Sequence, residues 1–190
     1  MNVYDFDKTL YRHDSTVQFY FYEIGRHPAL LRYLPGQLAG FIGYGLKLID
    51  ITSMKGRFYR YLTGIKDVEQ EVEEFWDKNM KDMNSFYDSA KQEDDVVISG
   101  SARFMITPAC RRLGISNVIA SEVDCKTGKT LGPNCSRKQK PVEFKAAGYD
   151  VNDIDEFYSD SHNDDPMAKL ARKAWLIRKG IPEDWGEFHE

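Results

Sequence analysis

Two hydrophobic rhythms divide the chain. Residues 1–5 read as a short strand starting at the first residue. From Asp14 to about Gln92 the spacing turns helical and aromatic-rich. Ser15 with Gln18 forms a capping box and Gly25 a stop, predicting a helix near 16–24. Pro28 opens a second helical stretch, which breaks at Pro35-Gly36 and resumes to about Ile49. A third helix is expected over 53–62, ending at Gly64. The strongest periodicity is DVEQEVEEFWDKNMKDMNSFYDSAK, residues 67–91, where Val68, Val72, Phe75/Trp76, Met83, Phe86/Tyr87 and Ala90 mark one apolar stripe.

Beyond this stretch the pattern changes. DVVIS (95–99), SNVIAS (116–121), IDEFYSD (154–160) and AWLIRK (174–179) are short apolar runs of the kind found in buried strands, the last of them closing the series. Helices are expected over 102–113, ending at Gly114, over 141–147 and over 166–172. VDCKTGKTLGP reads as a hairpin turning at Thr127-Gly128. Strands alternating with helices imply an α/β fold with a parallel sheet covered on both faces. Chemistry in such sheets collects at the carboxyl ends of the strands.

Composition narrows the class. Charged residues make up 29% and apolar ones 42%, an ordinary globular balance. The net charge of −4, with no basic block, argues against a nucleic-acid partner. Cys110, Cys125 and Cys135 are odd in number and lack CxxC spacing, as expected of reduced thiols in a cytoplasmic protein. MNVYDFD at the start leaves no room for a signal peptide ahead of the first strand. The apolar stretch 29–49 has Tyr33–Leu46 as its longest uncharged run, 14 residues against the roughly 20 a spanning helix needs. No transmembrane segment is expected, although peripheral membrane contact stays open.

Candidate chemistry sits where strands end in polar residues: Asp5, Ser99 and Asp160, with Lys138 and Lys140 on a separate loop. Asp5 and Asp160 supply hard oxygen ligands for Mg²⁺, and a lysine adds a second positive charge. A nucleophile, an acid, a metal and phosphate donors are the parts of phosphoryl transfer through an aspartyl-phosphate. Asp5 and Asp7 alone would pass for a solvated strand end. Ser99-Gly100 alone would pass for a strand-to-helix turn.

Taken in order, Asp5-Phe6-Asp7-Lys8-Thr9-Leu10, VVISGS with Ser99, Cys135-Ser-Arg-Lys-Gln-Lys140 and Tyr158-Ser-Asp160-Ser-His-Asn-Asp164 resemble the four motifs of the haloacid dehalogenase-like (HAD) hydrolases. The helical stretch between the first two resembles the C1 cap of the phosphoserine-phosphatase-like branch. This resemblance implies a Rossmann-like core from residues 1–13 and 93–190, with an all-helical cap over 14–92. It implies Asp5 as nucleophile and Asp7 as general acid and base, in a Mg²⁺-dependent phosphatase acting on a small phosphate ester. Asp5, the Asp7 carbonyl, Asp160 and Asp164 would serve the metal, Asp164 mainly through its bound water. Ser99, Gly100, Ser101 and Asn163 would bind phosphate, and Thr9 would support the loop. Lys140, just before Pro141, is preferred over Lys138 as the phosphate lysine, with its ammonium at a helix N-terminus.

Several alternatives stay open. Asp7-Lys8-Thr9 also begins like the phosphorylation motif of ion-pumping ATPases, but Leu10 and Tyr11 do not continue it. Dehalogenation is disfavoured, since a halide needs no proton from Asp7. Asp14, a helix-start residue, occupies the place of a substrate-reading Glu in the phosphoserine enzymes. Lys55, Arg57 and Arg60 are candidate contacts for an anionic substrate. Asp165 is expected to be an exposed helix-start charge and His162 loop filler. Phosphoserine-like esters are the default substrate. The apolar stretch 33–46 makes a phosphatidylglycerophosphate-like lipid headgroup the rival. A phosphotransferase and a non-catalytic phosphate-binding module are the further readings.

Overall fold

A computed structural model describes residues 1–188. Its centre is a six-stranded sheet: β1 (Asn2–Tyr4), β2 (Val96–Ala102), β3 (Asn117–Ser121), β4 (Glu156–Ser159), β5 (Lys173–Arg178) and β6 (Ile181–Asp184). The order is β3-β2-β1-β4-β5-β6, with the first five strands parallel and β6 antiparallel to β5. Alternate residues feed two apolar layers. Val3, Val96, Ile98 and Phe157 pack with Phe144, Met167 and Trp185 on one face. Tyr4, Val97, Val118 and Tyr158 join the larger cluster on the other. Burial on both faces explains why these strands read as plain apolar runs.

The sixth strand is an addition to the sequence reading. Ile181-Pro182-Glu183-Asp184 has no apolar alternation, and Pro182 suits only an edge. It pairs because Lys179 (φ 51°) and Gly180 (φ 80°) form a two-residue turn with both φ angles positive, the geometry that returns a chain onto the preceding strand.

Between β1 and β2 lie α1 (Ser15–Arg26), α2 (Leu34–Gly45), α3 (Ile51–Phe58), α4 (Val68–Asn79) and α5 (Tyr87–Ala90), joined partly by 3₁₀ turns. Three boundaries differ from expectation. First, Asp14 rather than Ser15 caps α1, accepting the Val17 N–H at 3.0 Å, and Gly25 lies inside the helix. Second, Pro35-Gly36 starts α2 instead of breaking a helix, because an early helical position needs no proline N–H. Third, the stretch 67–91 is not one helix. After α4 the chain forms a 3₁₀ turn (Met80–Asp82), and Met83 bridges Tyr11. Asn84 then donates its backbone N–H to Leu10 O at 2.8 Å and its amide to Thr9 O at 2.7 Å. These tertiary bonds to the loop after β1 replace helical ones that propensity alone would have kept.

The helical segment shares its core with the sheet. Trp76 is fully buried, contacts Phe6 and Tyr11 edge-on, and donates to Met105 O at 2.6 Å. After β2 come α6 (Arg103–Leu113), ended by Gly114 in the left-handed conformation, α7 (Gln139–Ala146) and the short α8 (Asp165–Ala168). The Thr127-Gly128 turn closes by a single bridge, Val123 to Thr130. Gly128 (φ 70°) sits where a Cβ would fall 2.2 Å from Tyr59 O, so the turn packs directly on the helical segment. Among the described residues, no helix is long and apolar enough to cross a membrane.

Candidate active site

β1 ends at Tyr4, in register with Val97 of β2 and Tyr158 of β4. The following loop folds back through Thr9 N–H and Tyr11 N–H to Phe6 O, with Lys8 in the left-handed region at φ 59°. Phe6, Leu10 and Tyr11 are thereby buried in the core. Asp5 and Asp7 face a cavity of about 290 Å³, which Asp14, Thr16, Lys55, Ser99, Gly100 and Ser101 also line.

Asp5 is bridged from a distant part of the chain. Lys140, 2% exposed, places Nζ 2.6 Å from Asp5 Oδ1 and 2.6 Å from Asp164 Oδ2. Ser159 adds a hydrogen bond to Asp164 Oδ2 at 2.8 Å. Of the two lysines, Lys140 is the one brought to the carboxylates, while Lys138 is exposed on a neighbouring groove. The helix starts at Gln139, so Lys140 and Pro141 both lie within its first turn. Facing two carboxylates keeps the Lys140 ammonium above the usual lysine range despite its burial. Burial pushes the Asp5 carboxyl up, with Lys140 pulling the other way. One cation shared by two acids leaves the site electronegative.

Asp7 is held differently. Oδ1 accepts the Ser15 N–H at 2.8 Å, and Oδ2 accepts the Ser101 hydroxyl. Burial and then the Asp14 charge raise its carboxyl, and the hydrogen bonds from Ser101 and Ser15 only partly oppose them. A carboxyl biased toward its protonated form suits a general acid.

The turn after Ile98 supplies further donors. Ser101 N–H is taken by Ser99 Oγ at 3.1 Å, and its hydroxyl by Asp7. Both donors of Ser101 are thus engaged in this arrangement, the hydroxyl holding Asp7. Lys55 Nζ donates to Gly100 O at 2.6 Å. Burial lowers the Lys55 ammonium, opposed by Asp7 and Asp14. Thr9 is fully buried, and its carbonyl is tied to Asn84.

The remaining candidates are spread out. Asp160 is half-buried at the end of β4, its carboxyl raised by burial and drawn down first by Lys8. Asp160 and Asn163 line a larger neighbouring cavity of about 1210 Å³ with Lys138. Asn163 is exposed, and its amide bonds Ser161 Oγ at 3.0 Å. Arg57 and Arg60 line an outer groove with Arg32 and Tyr33, not the cavity holding Asp5. Asp165 corrects the sequence reading: it is buried, accepts Trp185 Nε1–H at 2.8 Å and lies 3.1 Å from His162 Nδ1. Sequence reasoning missed Ser159, which holds Asp164, and Thr16 and Tyr59, which line the cavity 3.3 Å apart at their hydroxyls; these placements depend on tertiary neighbours and carry no local pattern.

An acidic loop after the first strand thus faces a buried lysine at the carboxyl edge of a mostly parallel sheet in an α/β fold. The chain belongs to the haloacid dehalogenase-like hydrolases, whose family model matches residues 3–169. Among solved structures it is similar to a Bordetella pertussis Tohama I protein of unknown function (TM-score 0.72, 21% identity, covering 93% of this chain and 88% of that one). It is also similar to a phosphoserine phosphohydrolase-like protein from Francisella tularensis subsp. tularensis SCHU S4 (TM-score 0.56, 19% identity, 95% and 89% covered). A phospho-aspartyl intermediate analogue of phosphoserine phosphatase matches with TM-score 0.51 and 17% identity over 92% and 84%. At these identities the likeness shows the fold. Among curated proteins, none matches this sequence.

Proposed function

We propose that the protein hydrolyses a phosphomonoester through an aspartyl-phosphate on Asp5. The observation that carries this is the pairing of Asp5 with buried Lys140 at 2.6 Å, beside an Asp7 whose carboxyl is biased toward protonation. Asp5 attacks phosphorus while Asp7 gives its proton to the departing ester oxygen, so the P–O bond to the alcohol breaks as the Asp5–phosphorus bond forms. Asp7, now ionised, takes a proton from water. The resulting hydroxide attacks phosphorus, the bond to Asp5 breaks, and inorganic phosphate leaves. Lys140, the Ser99 hydroxyl and the Gly100 N–H receive the phosphoryl oxygens.

The residues present fit a hard cation. Asp5 Oδ1 is taken by Lys140, Asp160 stands half-buried at the end of the adjacent strand, and Mg²⁺ prefers carboxylate oxygens. Asp5, the Asp7 carbonyl and Asp160 would hold it, with Asp164 behind them. When bound, it supplies positive charge that offsets the phosphate dianion. Asp5→Asn is expected to abolish Mg²⁺-dependent phosphate release from p-nitrophenyl phosphate while leaving the circular dichroism spectrum unchanged. Retained turnover in that variant ends the mechanism.

A second substrate reading rests on the helical segment. A phosphoserine-like metabolite suits the cavity volume, but its wall is also formed by Val17, Phe41, Met54 and Phe58. Phe41 continues outward into exposed Leu34, Leu38, Ile42 (62% exposed), Leu46 and Leu48 (76%). Residues 29–60 carry Arg32, Lys47, Lys55, Arg57 and Arg60 against Asp50 alone. An apolar face flanked by cations and leading into the site favours a lipid-headgroup phosphate at an anionic membrane surface. Flotation with phosphatidylglycerol vesicles tests this. Protein that stays wholly in the unbound fraction returns the reading to a soluble metabolite.

A further inference from the structure

We infer that Glu23, His27 and Glu71 form a second cation site, suited to a transition ion such as Zn²⁺, between α1 and α4. None of the three lines the catalytic cavity. Glu23 and His27 stand four residues apart at the end of α1, hence on one helical face, and His27 N–H bonds Glu23 O at 2.7 Å to close the last turn. Glu71 faces them from the first turn of α4.

One ligand atom from each residue falls within 4.8 Å of the other two. His27 Nε2 is 3.9 Å from Glu23 Oε2 and 3.6 Å from Glu71 Oε1. Tetrahedral Zn²⁺ with ligands at about 2.0–2.1 Å separates them by roughly 3.3–3.4 Å, and the two His27 distances lie within about half an ångström of that.

The independent sign of a ligand is Glu23 itself. Its side chain is 0% exposed, and no N–H or hydroxyl donor reaches its carboxylate oxygens, which instead meet the Glu71 carboxyl. A carboxylate shut from water without a donor is costly, and a shared cation removes that cost. Arg26 does not fill the role: its guanidinium lies 3.2 Å from Glu71 Oε2 and 3.1 Å from Glu74 Oε2. There it orients Glu71 from behind, as outer partners of metal-bound carboxylates do. His27 is 46% exposed, which opens an entry path and leaves the fourth position to water. One imidazole with two carboxylates is a donor set for a borderline transition ion, whereas the catalytic carboxylates present oxygen alone.

The test is Zn²⁺ titration by calorimetry onto the full chain in excess Mg²⁺, which occupies the oxygen-only site. Wild type is expected to bind one equivalent. H27A and E71Q are each expected to weaken that event by about tenfold or more, as loss of ligands or their supports does. H27A, altered at a half-exposed position, retains its fold and its Mg²⁺-dependent phosphate release. No saturable Zn²⁺ event in wild type overturns the site, leaving Glu23 to share a proton with Glu71. Equal Zn²⁺ affinity in wild type, H27A and E71Q also overturns it, since the ion must then sit elsewhere, for example at Cys125.

Discussion

Replacing Glu23 by Gln keeps the shape of a side chain the fold has closed off from water and removes its charge. Burial, with Glu71 adding to it, raises the Glu23 carboxyl from its ordinary 4.5 to about 7. The folded state therefore holds this proton more tightly than the unfolded chain does. Stability falls as pH rises between the two values, because unfolding releases the proton throughout that window. A gap of about 2.5 units at 1.36 kcal/mol each gives an upper limit near 3 kcal/mol at about pH 8, and under about 1 kcal/mol at about pH 5. With chelator present, Glu23→Gln should raise stability by up to that amount at the higher pH and change little at the lower. Urea unfolding followed by circular dichroism at both pH values measures it. In a chain of this length the gain corresponds to roughly 6–12 °C in Tm. Equal destabilisation at both pH values would show that the Glu23 carboxylate is not the uncompensated charge described. With Zn²⁺ present the sign should reverse, because the variant loses a ligand.

Asp14→Asn keeps the helix cap, since Asn caps as well as Asp, but removes the charge that raises Asp7. The alkaline limb of the kcat/KM profile, where Asp7 must stay protonated, is expected to move to lower pH; an unmoved limb separates Asp7 from the acid step. Lys140→Met leaves Asp5 and Asp164 facing each other without their shared cation. The expected cost is about 3–5 kcal/mol at neutral pH, shrinking in acid as Asp5 protonates, with phosphatase activity lost. Thermal unfolding across pH reads it, and a pH-independent loss would point to packing instead of charge.

Much of the scaffold was legible because its signals are local. Buried parallel strands are short apolar runs, and Asp67 caps α4 through the Gln70 N–H as its sequence suggests. Asp5 and Asp7 stood out because paired acids at a strand end demand a counter-charge. Other features depend on partners far along the chain. The break after Asn79 follows from Asn84 binding the Thr9 and Leu10 carbonyls. Ser101 turns to Asp7 rather than outward, and Asp165 is buried under Trp185. The amphipathic spacing of α1 and α4 gave no notice that Glu23 would be sealed between them.

The sequence by itself determined the five parallel strands, most of the helices and which residue types carry charge to the strand ends, since these follow from periodicity, capping and turn chemistry within a few residues. Only the tertiary structure decided that Lys140 reaches Asp5 and Asp164, that α2 keeps its apolar side exposed, and that Glu23 meets His27 and Glu71. Those outcomes depend on which distant surfaces meet when the sheet closes, and on how much water each meeting expels.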